Sequence, residues 1–509
     1  MIKSTILKTE CKYSQQPTEL FAALTHNIDD VMLLESSEID SKDDMQSLLL
    51  LRSALKIVCH DREVSFYALN DNGQSLIKPL TQHFSAFVKI SDTHSLTLFF
   101  PHPSHTLCQD SRLQATSPFS ALRDLNSLLG QDEHNSHRYI AGTFAYDMIA
   151  SIESLPQVAD GVNQCPDFVF YVIEDAVMLD HQHQTATLVS QQFNDSADIR
   201  AKHQQLLEHI ESFTAQAIKG APVTTPVAVN IDDDTFIETV NSLKQQIISG
   251  NIFQVVPSRA FSLPCPNPLA AYVELKRTNP SPYMFYIKDS EFCLFGASPE
   301  SALKYETDSN QVEVYPIAGT RRRGINSDGS INDDLDGRLE LDLRLDKKEL
   351  AEHIMLVDLA RNDVARISEP GTRKVAELLK VDRYSHVMHL VSRVVGQLRH
   401  DLDALHAYQA CMNMGTLVGA PKIKASTLIR DVEQQRRGSY GGAVGYINSH
   451  GDMDTCIVIR SAFVQNGVAT IQAGAGVVFD SDPQAEADET RAKAQAVISA
   501  ISAQGGCHA

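Results

Sequence analysis

Glu349 and Glu352 lie one helical turn apart in KKELAEHIMLVDLARND, residues 347–363, and residues 485–497 repeat that spacing with Glu486 and Glu489, followed by Lys493. Residues at i and i+3 or i+4 share a helix face. Two such faces turned toward each other could hold a hard divalent cation. Mg²⁺ takes carboxylate and water oxygens and commonly one more from an anionic substrate, which Lys493 could also reach. Each Glu-x-x-Glu taken alone reads equally as a solvated helix face. Glu349 and His353, at i and i+4, would also suit a di-metal carboxylate site, but the second helix has no histidine at matching spacing.

Three further groups could serve an anionic ligand. Gln472-Ala-Gly474-Ala475-Gly476 follows one apolar run and precedes another. Small residues there could let backbone N–H groups converge on an anion, or could simply make a tight turn between strands. Arg460 interrupts an apolar strand on the face of Cys456, Val458 and Ala462, where a guanidinium needs either a protein carboxylate or a ligand. His389, in HVMHLVSRVVGQL, would share a sheet face with Val387, Val391 and Val395, as a core histidine or an active one.

These groups need a frame of strands and helices. TLFFP (97–101), FVFYVI (168–173) and TATLVSQQF (185–193) are short, β-branched or aromatic, and read as strands; residues 198–217 read as a helix. GAPVTTPVAVNIDDD, residues 220–234, reads as a linker, dividing the chain into parts 1–230 and 231–509. Beyond it, Thr235 with Glu238 suggests a capping box, Phe236, Val240, Leu243 and Ile247 give a helical stripe, and Gly250 ends it. The run IFQVV then reads as a strand. TCIVIRSAFV, Asn466-Gly467 and VATIQA form a hairpin signature, because Asn-Gly supplies both positive-φ residues of a type I′ turn. The fold class predicted is α+β, with antiparallel sheets and helices packed outside them.

Composition narrows the partners. With 44 Lys and Arg against 64 Asp and Glu in 509 residues, the formal charge is −20, which disfavours nucleic acid and anionic membrane. No apolar run reaches the length of a membrane span and the N-terminus lacks a signal-peptide core, so a cytoplasmic protein is expected. Nine scattered cysteines without a CxxC pair suit reduced thiols.

Taken together and in order, these residues resemble the chorismate-utilising enzymes, the family of anthranilate, aminodeoxychorismate, isochorismate and salicylate synthases. The resemblance is dense over 235–509, through GNIFQVVPSR (250–259), NPSPYMFY (279–286), FGASPE (295–300), PIAGTRRRG (316–324), ELAEHIMLVDLARND (349–363), GTLVGAPK (415–422), SYGGAVGYI (439–447) and GAGVVFDSDPQAEADETRAKA (474–494). It implies a two-lobed sandwich of large antiparallel sheets. It implies Glu352 and Glu489 as principal Mg²⁺ ligands supported by Glu349 and Glu486. Gly319, Thr320, Tyr440, Arg460, Gly474, Ala475, Gly476 and Lys493 would bind chorismate. Glu300, His389 and Thr320 are the implied catalytic residues, with Glu300 the general acid at the departing 4-hydroxyl.

Two positions discriminate within the family. Water-adding members carry a lysine where this chain has Gln254, and aminodeoxychorismate synthases carry one where it has Ala318. The pattern thus resembles that of members in which ammonia adds at C2 and pyruvate is lost to give anthranilate, the first step toward tryptophan. The rivals are amination at C4 and a non-catalytic, tryptophan-binding scaffold. LLESSEIDSKDD (33–44), with Leu34, Glu35 and Ser36, resembles the regulatory part of these enzymes. Together with Asn279, Pro282, Tyr283 and Met284 it implies a pocket for tryptophan as feedback inhibitor. No cysteine lies on a glycine-flanked elbow with a downstream histidine, so ammonia is expected from a separate glutamine amidotransferase subunit in a hetero-oligomer.

Overall fold

The computed structural model describes residues 2, 4–36, 45–103, 107–130, 137–194, 198–326, 328–384 and 387–503. Residues 37–44 of the LLESSEIDSKDD block, and Cys507, lie outside them.

Many of the strands are apolar on both faces, and the reason is visible in their packing. In Val31–Glu35, Met32 points into one core while Val31 and Leu33 point into another. Tyr283–Lys288 divides Phe285 and Ile287 from Met284 and Tyr286 in the same way, and Phe168–Asp180 divides Val169 and Tyr171 from Phe168 and Phe170. One core, holding Tyr171, Phe285, Leu294 and Phe463, is therefore enclosed between two sheet layers. The other two lie between each layer and its own covering helices. The result is the expected α+β sandwich of two lobes, built from antiparallel pairs with helices outside.

Long strands stitch the lobes together. Gln46–His60 pairs with Val31–Glu35 through its first half and with Glu63–Ala68 through its second, so it runs through both layers. The parts before and after residue 230 contribute strands to the same sheets: Glu35 is the register partner of Met284, and Gly142 that of Gly445.

Several expected elements hold and others shift. The Asn466-Gly467 turn has φ of 51° and 74° and joins Ser461–Gln465 to Val468–Gly474. The helix after the linker is Asp233–Ile248, one turn fragment earlier than Thr235, because the Asp232 side chain accepts the Thr235 N–H at 2.9 Å. The expected IFQVV strand shrinks to Gln254–Val255, which pairs with Gly419–Ala420. The expected 198–217 helix stops at Glu211, and Phe213 just beyond it packs against the core outside the helix. Among the described residues no helix is long and apolar enough to cross a membrane.

Candidate active site

Glu300 and Arg460 both stand where the chain passes from one lobe to the other. Glu300 links Cys293–Ser298, which pairs with Tyr283–Lys288, to Ser301–Glu306, which pairs with Met453–Ile457. Arg460 links Met453–Ile457 to Ser461–Gln465. This corrects the expectation that Arg460 lies within a strand: its φ is +49°, a left-handed link that interrupts pairing and turns the side chain out of the apolar face. No ion pair joins Arg460 to a carboxylate among the described residues. Burial lowers its pKa, and Tyr440, Glu489 and Glu300 act against that lowering.

The Glu300 carboxyl is buried, and Thr416 Oγ1 donates to its Oε1 at 3.0 Å. Burial pushes its pKa up to about 8, against the opposing pull of Thr416, Arg460 and Lys493, so the group is largely protonated at neutral pH. His389 stands on Val387–Gln397 opposite Thr320, with Nδ1 3.0 Å from Thr320 Oγ1 and 3.2 Å from the Gly319 carbonyl. Burial brings its pKa down to about 4, and Arg460 adds to the lowering. The imidazole is neutral. With Nδ1–H directed at the Gly319 carbonyl, Nε2 keeps its lone pair.

The two acidic helices are Lys347–Ala365 and Pro483–Ala503. The first packs against Ile317–Arg322 and Val387–Gln397, the second against Val468–Gly474, so both flank the same cleft. Glu352 receives the Gln254 amide at 2.9 Å; burial and the charges of Glu349 and Glu489 raise its pKa to about 7. Glu349 pairs with Arg321 at 3.2 Å and Glu489 with Lys493 at 2.5 Å. Glu486 is buried with its Oε2 unpartnered, and burial raises its pKa. Among the described residues no three such groups close to ligation distance. Carboxylates that repel one another, with one orphaned oxygen, nevertheless suit a hard cation in donor type and charge. The di-metal alternative does not fit: His353 is fully buried and turned to Ser392 Oγ at 2.7 Å.

In the Gly474–Gly476 stretch, the Ala475 N–H goes to the Pro257 carbonyl at 3.1 Å, so it is not offered to a ligand; the stretch is not a tight turn, because the pairing of Ser258 with Gly474 continues to a Val255–Val477 bridge. A Cβ at Gly474 would stand 2.7 Å from that same carbonyl and 3.0 Å from the Tyr440 hydroxyl. Lys493 Nζ donates to the Gly474 carbonyl at 3.0 Å, and the would-be Cβ of Gly476 meets Gln254 and Glu352. Tyr440, Gly474, Gly476, Lys493, Gln254 and the acidic helices therefore share one wall. Gly319, with φ +80° and Glu349 beside it, ties the Thr320–His389 pair to that wall. Burial raises the Tyr440 hydroxyl to about 12, leaving it a donor.

The residues of the second expected pocket lie on adjacent strands but on both faces of the sheet: Leu34 and Tyr283 pack against the core between the layers, while Met284 and Glu35 face the covering helices. Glu35 and Leu34 pair in register with Met284 and Phe285, and Asn279 and Pro282 lie just before that strand. The Ser36 N–H bonds to the Gln46 carbonyl, and Tyr283 donates to Asp454 at 3.2 Å. Glu35 is not open: it accepts from Lys276 at 2.6 Å, from Thr18 at 3.2 Å and from Tyr272.

Two of these partners were missed in the reading of the sequence. Thr416 lies within GTLVGAPK, where a hydroxyl between a glycine and an apolar run was the available sign. Lys276 had none, because its partner is 241 residues away.

Against known proteins, a family model described as chorismate binding enzyme matches residues 82–499. The chain belongs to that family. Anthranilate synthase component 1 of Vibrio cholerae is 58% identical over 505 residues, covering 97% of this chain and 96% of the relative. The component 1 of Escherichia coli K12 is 53% identical, with 97% and 96% covered. Among solved structures, anthranilate synthase component I from Streptococcus pneumoniae superposes with a TM-score of 0.70 at 28% identity, covering 91% and 94% of the two chains.

Proposed function

We propose that this chain is the large, chorismate-converting subunit of an anthranilate synthase, which aminates chorismate at C2 and eliminates pyruvate. The observation that carries this reading is the nearness, at adjacent crossovers, of a buried Glu300 carboxyl that stays protonated and an Arg460 that forms no ion pair among the described residues. An acid and an unspent cation side by side suit a substrate that bears carboxylates and must lose a hydroxyl.

Arg460, Tyr440 and Lys493 would hold the carboxylates of chorismate. Ammonia would attack C2 while Glu300 gives its proton to the departing 4-hydroxyl, and the His389 Nε2 lone pair is suited to take the C2 proton during loss of pyruvate. Gln254 is an amide and cannot deprotonate water at neutral pH, which favours a nucleophile that arrives basic. Ala318 offers no amine for covalent attack, which supports C2 over C4. Glu352 and Glu489, with Glu349 and Glu486, would hold Mg²⁺, which when bound neutralises a substrate carboxylate.

Residues 1–230 are proposed as the regulatory part, with Leu34, Glu35, Ser36, Asn279, Pro282, Tyr283 and Met284 receiving tryptophan as feedback inhibitor of this first step toward it. A separate glutamine amidotransferase subunit would supply ammonia within a cytoplasmic hetero-oligomer. The test uses purified chain with chorismate, Mg²⁺ and an ammonium salt above pH 8, following anthranilate fluorescence with and without tryptophan. Signal that requires Mg²⁺ and falls with tryptophan is expected; chorismate consumed without anthranilate or pyruvate would move the reaction to C4.

A further inference from the structure

We infer that Arg437 is a positioning residue for the proposed reaction: one buried guanidinium holds the Thr416 turn against Glu300 and, with Glu433, sets Tyr440 beside the strand end at Gly474. The inference rests on the site proposed above and adds to it a residue that acts only through its neighbours.

Arg437 is fully buried, and every nitrogen of its fork donates. Nε and Nη2 reach the two oxygens of Glu433 at 2.9 and 2.5 Å. Nη2 also donates to the Val256 carbonyl at 2.6 Å, and Nη1 to the Leu417 carbonyl at 2.9 Å. The guanidinium lies 4.6 Å from the centre of the Tyr146 ring and 5.6 Å from that of Tyr440. Its own backbone N–H is fixed on Asp147 at 2.8 Å. An ion pair alone would need only Glu433; here the rest of a rigid planar fork is used on carbonyls of two other segments.

Both carbonyls belong to segments of the site. The pairing of Gln254–Val255 with Gly419–Ala420 ends where the Val256 N–H donates to the Val418 carbonyl at 3.0 Å, and beyond that point the Val256 and Leu417 carbonyls converge on Arg437. Leu417 follows Thr416 in the single turn Gly415–Val418, so the guanidinium fixes the turn whose hydroxyl bonds to Glu300. Val256 precedes Pro257, whose carbonyl takes the Ala475 N–H. Glu433 also accepts the Ser258 N–H and hydroxyl, each at 2.8 Å, and Ser258 is the register partner of Gly474. Tyr440 thus has its ring beside the guanidinium and its hydroxyl beside Gly474. Three segments far apart in the chain, around Val256, Leu417 and Tyr440, meet at one cation.

The test is the pH dependence of kcat/KM for chorismate in the full chain, at constant free ammonia. Arg437→Lys keeps a cation on Glu433 and loses the fork. It should fold, lower kcat/KM about a hundredfold through misplacement of the groups it holds, and move the descending limb to higher pH, as loss of the Thr416 hydroxyl does. On a Thr416→Val background the same change should move the limb no further, because the hydroxyl it positions is gone. Thermal unfolding checks that each variant folds. A folded Arg437→Lys whose limb stays at the parental pH overturns the inference and leaves Arg437 a purely structural role. A limb shift that persists on the Thr416→Val background overturns it as well. Should Arg437→Lys fail to fold, Glu433→Gln, which leaves Arg437 a neutral partner and loosens its hold, carries the same two predictions and the same two refutations. An unaltered chain that makes no anthranilate from chorismate and ammonia would instead sink the proposed reaction.

Discussion

Glu300 and Arg460 sit on two crossovers that hydrogen-bond to each other: the Ile457 N–H donates to the Glu300 carbonyl at 3.0 Å, and the Ala297 N–H to the Arg460 carbonyl at 3.1 Å. Each residue stands between strands of different lobes. The backbone bonds fix the spacing of acid and cation, while the crossovers remove both side chains from the strand pleat and leave them facing the cleft. A site made this way is as rigid as the two sheets that hold it.

Glu300 acts while protonated, so kcat/KM for chorismate, measured at constant free ammonia, should fall as pH rises through about 8. Thr416 donates to the carboxyl and favours its ionised form. Thr416→Val should therefore raise the pKa and move the descending limb to higher pH. A limb that stays in place would separate Thr416 from the acid.

The same burial makes Glu300 a stability cost. Its folded pKa lies above the unfolded value, so folding loses stability as pH climbs from about 4.5 toward 8, where the unfolded chain ionises and the folded one does not. At pH 7 the cost is on the order of 3 kcal/mol. Glu300→Gln should abolish turnover and raise the thermal midpoint at pH 7, with the gain shrinking near pH 5. Calorimetry at the two pH values checks the sign.

Glu489 is exposed on its helix, and among the described residues its ion pair is with Lys493. Glu489→Gln should leave unfolding within about 0.5 kcal/mol of the parent. Activity should nevertheless be lost, with Mg²⁺ titration failing to restore it. A folded, fully active variant would remove Glu489 from the metal site.

Ser36 contributes its backbone N–H to the Gln46 carbonyl, a bond that any residue but proline can keep. Ser36→Phe should then retain turnover and lose tryptophan inhibition, read from inhibition curves at fixed chorismate. Inhibition at the parental level would take Ser36 out of the pocket.

Motifs with local chemistry were legible in the sequence. The Asn466-Gly467 hairpin depends on φ values that few residues adopt, and the acidic faces depend on helical spacing, so both could be read without partners. Arg460 was misplaced because periodicity carried an apolar pattern straight through Cys456–Ala462, and nothing local marks the left-handed φ that breaks it. Glu35 read as an open acidic group because Lys276, Tyr272 and Thr18 are distant in the chain.

The sequence by itself determined the α+β class, the two Glu-x-x-Glu faces and the residue types at each motif, because those follow from spacing and side-chain chemistry within a few turns of chain. Only the tertiary structure decided that Glu300 is protonated and His389 neutral, that Ala475 spends its N–H on Pro257, and that Glu35 is already paired. Each of these depends on desolvation and on partners brought from far along the chain, and neither is encoded in any local stretch of residues.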